Sequence, residues 1–581
     1  MLFYTKLCVS VILKINIMRK SVIFLLLLLC AGSIHAAKEP KAVANARKAV
    51  ISLLIYSDGN LLRSGTGVFV GENGDILSSY SLFVGADSAV AIDPTGRVRG
   101  IKRIVGADDI YDCIKVRVDW DKKIFSIPMA ATEAAAGNIL YLVSYGTKKS
   151  GPIETLPVAA VDKISGNPYY TFTFPMQERF LSAPVVNEQG ELVALMQSSA
   201  ENDTINSYGV AASLACNLQM GVLEYSSSKF KNIDIPCALP AAQKDALTLL
   251  YLIQGKAYSS DEKEKRDFNI LLNDYISEYP DSYEGYILRV NSSLNDADFL
   301  EKAQKDWARA LAVSDKPDDV HYNISMTYRT AVYELAKDSA EAKAYTDSTL
   351  LHIDKAIAIK PEPLYKQFKG QQLYETGNYA AAFECYASLS STSMRSADNF
   401  AYAAKCKEAL GEYDAAIAYM DSAIATYGSL PVAAMAPFVI ERATMKHRQG
   451  RSREAVLDYN LYEQLASGNL NAHFYFIREQ AEYDAKMFRQ ALNDIETAIR
   501  MSPNDYGFLI EKGRLCYRVK MVDEAIAALE AARLLAPENP DVYYILGRCH
   551  AVKGDTVKAK EFMLKAKEYG HYDAEKQLEA L

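Results

Sequence analysis

The C-terminal third of the chain repeats itself at a fixed interval. Ala491, Ala525 and Ala559 lie 34 residues apart, as do Ala498, Ala532 and Ala566, the closing residues Pro503 and Pro537, and Gly513 and Gly547. The stretches Tyr483–Pro503, Tyr517–Pro537 and Val552–Gly570 thus share one pattern. A period of this length is that of a helix–turn–helix unit. Two antiparallel helices approach closely only where their crossing points carry Gly or Ala. One such unit cannot bury its apolar face alone, so the units must stack into an array. This excludes an ordinary helical bundle, which has no reason to repeat at 34 residues.

In residue type as well as length these units resemble the tetratricopeptide repeat family. Gly370, Gly377, Tyr379, Ala382 and Tyr386 follow its order of small and aromatic positions, and Gly411, Tyr413, Ala416 and Ala423 repeat it. The unit around Gly450, Ala455 and Tyr459 is longer, and Pro431 and Pro437 mark an insertion. Upstream, Ala303, Trp307 and Ala310 fit, and so do His352, Ala356 and Pro361. The resemblance implies roughly eight to nine helix pairs and a concave face lined by the first helix of each pair. Carried onto this sequence, the groove positions include Gln367, Gln371, Lys405, Thr444, Gln480, Tyr483, Arg514, Tyr517, Arg518, Tyr544 and Arg548. Three arginines beside three tyrosines suit a protein or peptide partner carrying acidic groups or a free C-terminus, because guanidinium forks pair with carboxylates and tyrosine supplies rigid contact area.

With 581 residues, of which 50% are hydrophobic and 23% charged, the chain has material for two or more cores. Its formal net charge is −8. Residues 1–37 hold four basic and no acidic residues, so the remainder carries 60 basic against 72 acidic residues, or −12. An acidic chain without a basic run argues against nucleic acid as a partner. The seven cysteines beyond residue 37 are scattered and nowhere at CxxC spacing, which points to small core residues rather than a metal site or disulfide framework. Nothing in the sequence calls for a cofactor.

Arg19-Lys20, the apolar run Val22–Leu29 and the small residues ending at Ala36-Ala37 have the anatomy of a secretion signal. Met18 is the expected start, because Met18–Ala37 alone carries that anatomy. The run is short for the roughly 20 residues that span a bilayer, so the mature protein is read as exported, periplasmic or envelope-associated, with no membrane span.

Between Arg47 and Met220 the texture changes. Short β-branched runs at Ala49–Tyr56, Thr66–Val70, Ala89–Ile92, Ile114–Val118 and Ile139–Val143 are separated by Gly, Asn and Asp turns, which predicts an all-β module. Inside it, Ser64-Gly65-Thr66-Gly67-Val68-Phe69-Val70, then Gly74-Asp75-Ile76-Leu77-Ser78-Ser79, then Val105–Asp108 running into Asp112, follow one another in a familiar order. Pro184–Leu195 and Ser207–Ala211 complete it. The series resembles trypsin-like serine proteases of the high-temperature-requirement type, which implies a chymotrypsin-like double β-barrel.

The resemblance stops at the chemistry. Such a protease needs a hydroxyl nucleophile, an imidazole to take its proton and a carboxylate to orient the imidazole. The family pattern places Ser81 where the histidine belongs and Leu181 at the nucleophile, and only Asp112 matches its triad position. Arg179 stands at the glycine whose amide completes the oxyanion hole, and Ser182 lies one residue beyond the nucleophile position, with its side chain expected to turn away. The seven histidines are His35, His321, His352, His447, His473, His550 and His571, so the module contains no imidazole. The expectation is a pseudoprotease whose cleft can still bind an extended peptide by strand addition; the alternative is an active endopeptidase that uses another base and recruits substrates through the repeats.

The expected organisation is therefore a multidomain α+β chain: signal peptide 1–37, double β-barrel 45–225, linker 226–242 rich in Ser, Lys and Pro, helical repeat solenoid 243–573 and capping helix 574–581.

Overall fold

The computed structural model describes residues 39–119, 123–146, 153–198, 203–294, 298–466, 468 and 470–581. The expected signal peptide lies outside the described residues. Two compact units divide at Ser314/Asp315.

The first unit opens with a short helix α1 (Lys41–Ala46) and twelve strands: β1 (Val50–Ser57), β2 (Asn60–Val70), β3 (Asp75–Ser78), β4 (Ser88–Ile92), β5 (Val98–Asp108), β6 (Cys113–Val118), β7 (Ile139–Val143), β8 (Ile153–Ile164), β9 (Asn167–Phe172), β10 (Pro184–Val186), β11 (Leu192–Gln197) and β12 (Ser207–Ala211). They close into two barrels, in the orders β1-β2-β3-β6-β5-β4 and β10-β11-β12-β9-β8-β7. The one-turn helix α2 (Tyr80–Phe83) interrupts the first barrel after β3, and α3 (Ala212–Cys216) follows the second. Alternation on β1 sends Ile51, Leu53 and Ile55 into the first core, where they meet Val68, Ile76 and Ile114. The second core gathers Leu142, Leu156, Phe172, Phe180, Val185 and Met196. Gly67 is required by packing: a Cβ there would lie 2.8 Å from Ile76 Cγ2 and 3.0 Å from Leu53 Cδ1.

The stretch expected as a linker is not a free connector. Ile104 of β5 donates to the Pro236 carbonyl at 2.9 Å and accepts from Ala238 at 2.7 Å, so residues 236–238 run beside the barrel as a parallel bridge. Asp234 donates to the Ala86 carbonyl and Gly85 to that of Asn232, each at 2.7 Å. Phe230, Ile233 and Ile235 enter the first barrel's core cluster. Four helices complete this unit: α4 (Gln243–Ile253), α5 (Glu262–Glu278), α6 (Tyr283–Ser292) and α7 (Phe299–Val313). Arg103 of β5 pairs with Asp274 of α5 through two hydrogen bonds of 2.8 and 3.0 Å. The compact boundary therefore falls after α7, well beyond residues 226–242.

The second unit is all helical. Its pairs are α8 (Pro317–Glu334) with α9 (Ser339–Ile359), α10 (Pro363–Glu375) with α11 (Tyr379–Ser388), α12 (Ala397–Ala409) with α13 (Tyr413–Ala425), and α14 (Ala436–Arg448) with α15 (Ser452–Leu465). Three more follow: α16 (Ala472–Asp484) with α17 (Phe488–Met501), α18 (Tyr506–Arg518) with α19 (Val522–Leu535), and α20 (Pro540–Val552) with α21 (Thr556–Glu568). A final α22 (Ala574–Glu579) buries Ala574 against Tyr543 and Ala566. The spaced alanines Ala491, Ala525, Ala559, Ala498, Ala532 and Ala566 are all fully buried, as the repeat requires. At Gly513 a Cβ would lie 2.5 Å from Leu529 Cγ. Among the described residues no helix is long and apolar enough to cross a membrane.

Candidate functional site

In the first barrel, α2 sets Ser81 directly on Asp112. The Ser81 amide donates to Asp112 Oδ1 at 2.6 Å and its hydroxyl to Oδ2 at 3.0 Å, so both carboxylate oxygens are held by one residue. Arg63 fastens the same turn from below, donating to the carbonyls of Leu82 at 3.3 Å and Val84 at 2.5 Å. Asp112 takes φ 46°, a left-handed conformation that aspartate tolerates better than most residues. The sequence-predicted pair is thus brought together, and it consists of a carboxylate and a hydroxyl with no imidazole.

The loop opposite is a single 3₁₀ turn, Glu178–Phe180. Phe180 is fully buried in the second core, with the exposed Arg179 guanidinium 4.6 Å over its ring. The Leu181 amide donates to the Glu178 carbonyl at 3.1 Å. That N–H is therefore occupied within the loop instead of facing a substrate oxygen, where an oxyanion donor must point. Ser182, at φ 63°, turns inward: its hydroxyl donates to Ser79 Oγ at 2.6 Å and accepts from the Ser79 amide at 3.0 Å, with both residues buried. Nearby Cys113 is fully buried, and burial pushes its thiol up to about 12, so it is no thiolate nucleophile.

In the array, the groove residues form two clusters with Lys405 apart from them. Lys405 pairs with Glu441 at 2.8 Å. Gln480, Tyr483, Arg514 and Arg518 line one cavity of about 210 Å³ together with His447, Glu479, Asp484, Glu511 and Leu515. Arg518 donates to the Tyr483 hydroxyl and lies 5.0 Å over its ring. Arg514 is paired with Asp541 at 3.2 Å and with Glu511 at 3.6 Å, so its fork is already engaged. The second cluster is Arg548, stacked 4.9 Å from the Tyr517 ring and 5.8 Å from that of Tyr544. Tyr544 in turn stacks on His571 at 3.8 Å.

Sequence reasoning missed the acidic residues of the cavity. Glu479 is fully buried, and neither carboxyl oxygen has a hydrogen-bond partner among the described residues. Burial, with Glu511 next in effect, pushes its carboxyl up to about 8. One turn on, Glu482 is raised to about 8 by burial and by Asp494, against the opposing pull of Arg478. The available signal was a glutamate beside a groove position on a helix whose other inward residues are apolar or paired.

Comparison with known proteins agrees with this division. Residues 65–195 match the family model described as a trypsin-like peptidase domain, and residues 520–572 match a tetratricopeptide repeat model. A solved structure, the crystal structure of the serine endoprotease from Yersinia pestis, is 19% identical. The match covers 31% of this chain and 64% of that one, with a TM-score of 0.28. The chain thus spans just under two thirds of that structure's length. No curated protein matches.

Proposed function

We propose that this is an exported, non-catalytic protein-binding protein, in which a degenerate trypsin-like module accompanies a repeat array that holds a protein or peptide partner. The observation that carries this reading is the Ser81–Asp112 pair. A hydroxyl fills the place of the proton acceptor, and the chain has no histidine between His35 and His321. A serine hydroxyl bonded to a carboxylate does not replace an imidazole, whose ordinary pKa near 6.5 lets it take and return a proton at neutral pH. Leu181 at the nucleophile position offers no attacking oxygen, and its amide is engaged by Glu178. Export rests on the basic, apolar and small-residue succession of residues 18–37.

On the array, Arg548 over Tyr517 and Tyr544 has no carboxylate bonded to it among the described residues, and it suits an acidic group on the partner. Two measurements test the reading. Purified protein incubated with denatured casein and a fluorophosphonate probe is expected to give neither fragments nor label; label on Ser81 or Ser182 overturns the non-catalytic half. Affinity capture from the native envelope with parent and Arg548→Glu protein tests the other half, which fails if the variant captures the same partners equally well.

A further inference from the structure

Two buried aspartates of this array are each held by an arginine of the neighbouring helix. Arg478 of α16 holds Asp494 of α17 through two bonds of 2.6 and 3.0 Å, and Arg442 of α14 holds Asp458 of α15 at 2.9 and 2.6 Å. Glu479 has no such cation, and its neighbour Glu482 leaves one carboxyl oxygen without a partner among the described residues. Glu479 is fully buried on α16, lines the 210 Å³ cavity, and has no partner on either oxygen among the described residues. Of the nearby cations, Arg478 is engaged by Asp494 and Glu463 and Arg514 by Asp541 and Glu511, while Arg518 meets the Tyr483 hydroxyl and is not bonded to Glu479. Glu511, from α18, adds a second negative charge beside it.

We infer that this cavity receives a cationic side chain, a guanidinium or ammonium from the peptide partner, whose charge is met by Glu479 with Glu511 beside it. The inference rests on the reading of the array as a peptide-binding surface and names one side-chain class that the surface selects. A carboxylate ligand could meet Arg514 and Arg518 of the same cavity but would leave Glu479 without a partner. A metal ion is disfavoured because, among the described residues, no three acidic, histidine or cysteine side chains converge. Burial without a partner disfavours the ionised form of a carboxyl, so Glu479 favours its neutral form. An entering cation reverses that preference and expels the proton. Binding is therefore proton-linked in the range below about 8, to which the Glu479 carboxyl is pushed by burial and by Glu511.

The groups facing Glu479 are Glu482, Tyr483 and Asp484 of its own helix, Asp494 of α17, Glu511, Arg514 and Arg518 of α18, and His447 of α14, itself 3.0 Å from Asp484. The test uses the full chain and two isosteric probes, N-acetyl-arginine methylamide and its neutral citrulline counterpart, titrated by calorimetry from pH 6 to pH 8. The arginine probe is expected to bind at least about tenfold tighter than the citrulline probe, and to tighten by up to about tenfold per pH unit as one proton leaves. Glu479→Gln, which keeps the shape and removes the charge, should abolish both the preference and the slope, while Glu511→Gln should weaken the preference. Equal binding of the two probes, absence of saturable binding, or an unchanged slope in Glu479→Gln overturns the inference. Partner capture that survives Glu479→Gln but not Arg548→Glu would leave the array reading standing and remove this one alone.

Discussion

Ser81, which stands where the resemblance expects an imidazole, holds both oxygens of Asp112 through its amide and its hydroxyl. On the proposed reading, the serine gives up chemistry without giving up local structure. Restoring the side chains should not restore the full activity. In Ser81→His with Leu181→Ser, an imidazole and a hydroxyl return to their positions, but the residue-181 amide still points to Glu178 and Arg179 still occupies the glycine position. Losing a single oxyanion donor costs about 10²–10³ in turnover elsewhere. The double variant is thus expected to turn over casein at least about 10²-fold more slowly than an intact protease of this fold; hydrolysis at the rate of an intact protease would show that the loop re-forms. The sequence made the mismatched identities at Ser81 and Leu181 readable. It could not reveal the amide of Leu181, because the direction of one N–H depends on the backbone angles of a single 3₁₀ turn.

The repeated helix pairs were the most legible elements, since period and burial coincide at the spaced alanines. Their turns show where the repeat is strained. Gly377, Gly411, Gly450 and Gly554 turn with φ between 71° and 80°, while Lys486 and Lys520 occupy the corresponding place at 61° and 66°. A left-handed residue with a Cβ costs roughly 1–2 kcal/mol, and glycine returns part of this through the entropy of the unfolded chain. Lys520→Gly is expected to stabilise the protein by about 0.5–1 kcal/mol in urea denaturation, and a loss of stability would refute the strain. The arginine–aspartate pairs inside the repeats were not legible, because charged residues 16 positions apart look solvated until the helices are laid together.

The same helices carry a pH dependence. With its carboxyl raised from 4.5 to about 8, Glu482 holds a proton in the native state that the unfolded chain has released. Its contribution to stability is therefore complete below pH 4.5 and is lost as pH rises through about 8, at no more than about 1.4 kcal/mol per pH unit. Glu482→Gln mimics the neutral form. The stability difference, variant minus parent, should grow from pH 5 to pH 8 and then level off. A difference independent of pH would place the proton elsewhere.

At the scale of the molecule, composition does not show which extended backbone pairs with a barrel. Ser226–Pro240 has the residues of a connector, but extended backbone that pairs with a barrel uses the same residues as backbone that pairs with water. The repeat resemblance gave residues 243–573 to the array, and within that span α4 to α7 lie in the compact unit that ends at Ser314. A fragment of residues 39–225 would lose the four backbone bonds made by residues 232–238, the burial of Phe230, Ile233 and Ile235, and the Arg103–Asp274 pair. Four hydrogen bonds at about 0.5–1.5 kcal/mol each and three apolar side chains at about 1.5–3 kcal/mol each amount to something of the order of 10 kcal/mol. That is comparable with the whole stability of a typical domain. Residues 39–314 are accordingly expected to melt as one cooperative unit, and residues 39–225 to show no cooperative transition by circular dichroism. If the shorter fragment melts cooperatively at the same temperature as the longer one, residues 226–314 are an appendage and the barrel pair stands alone.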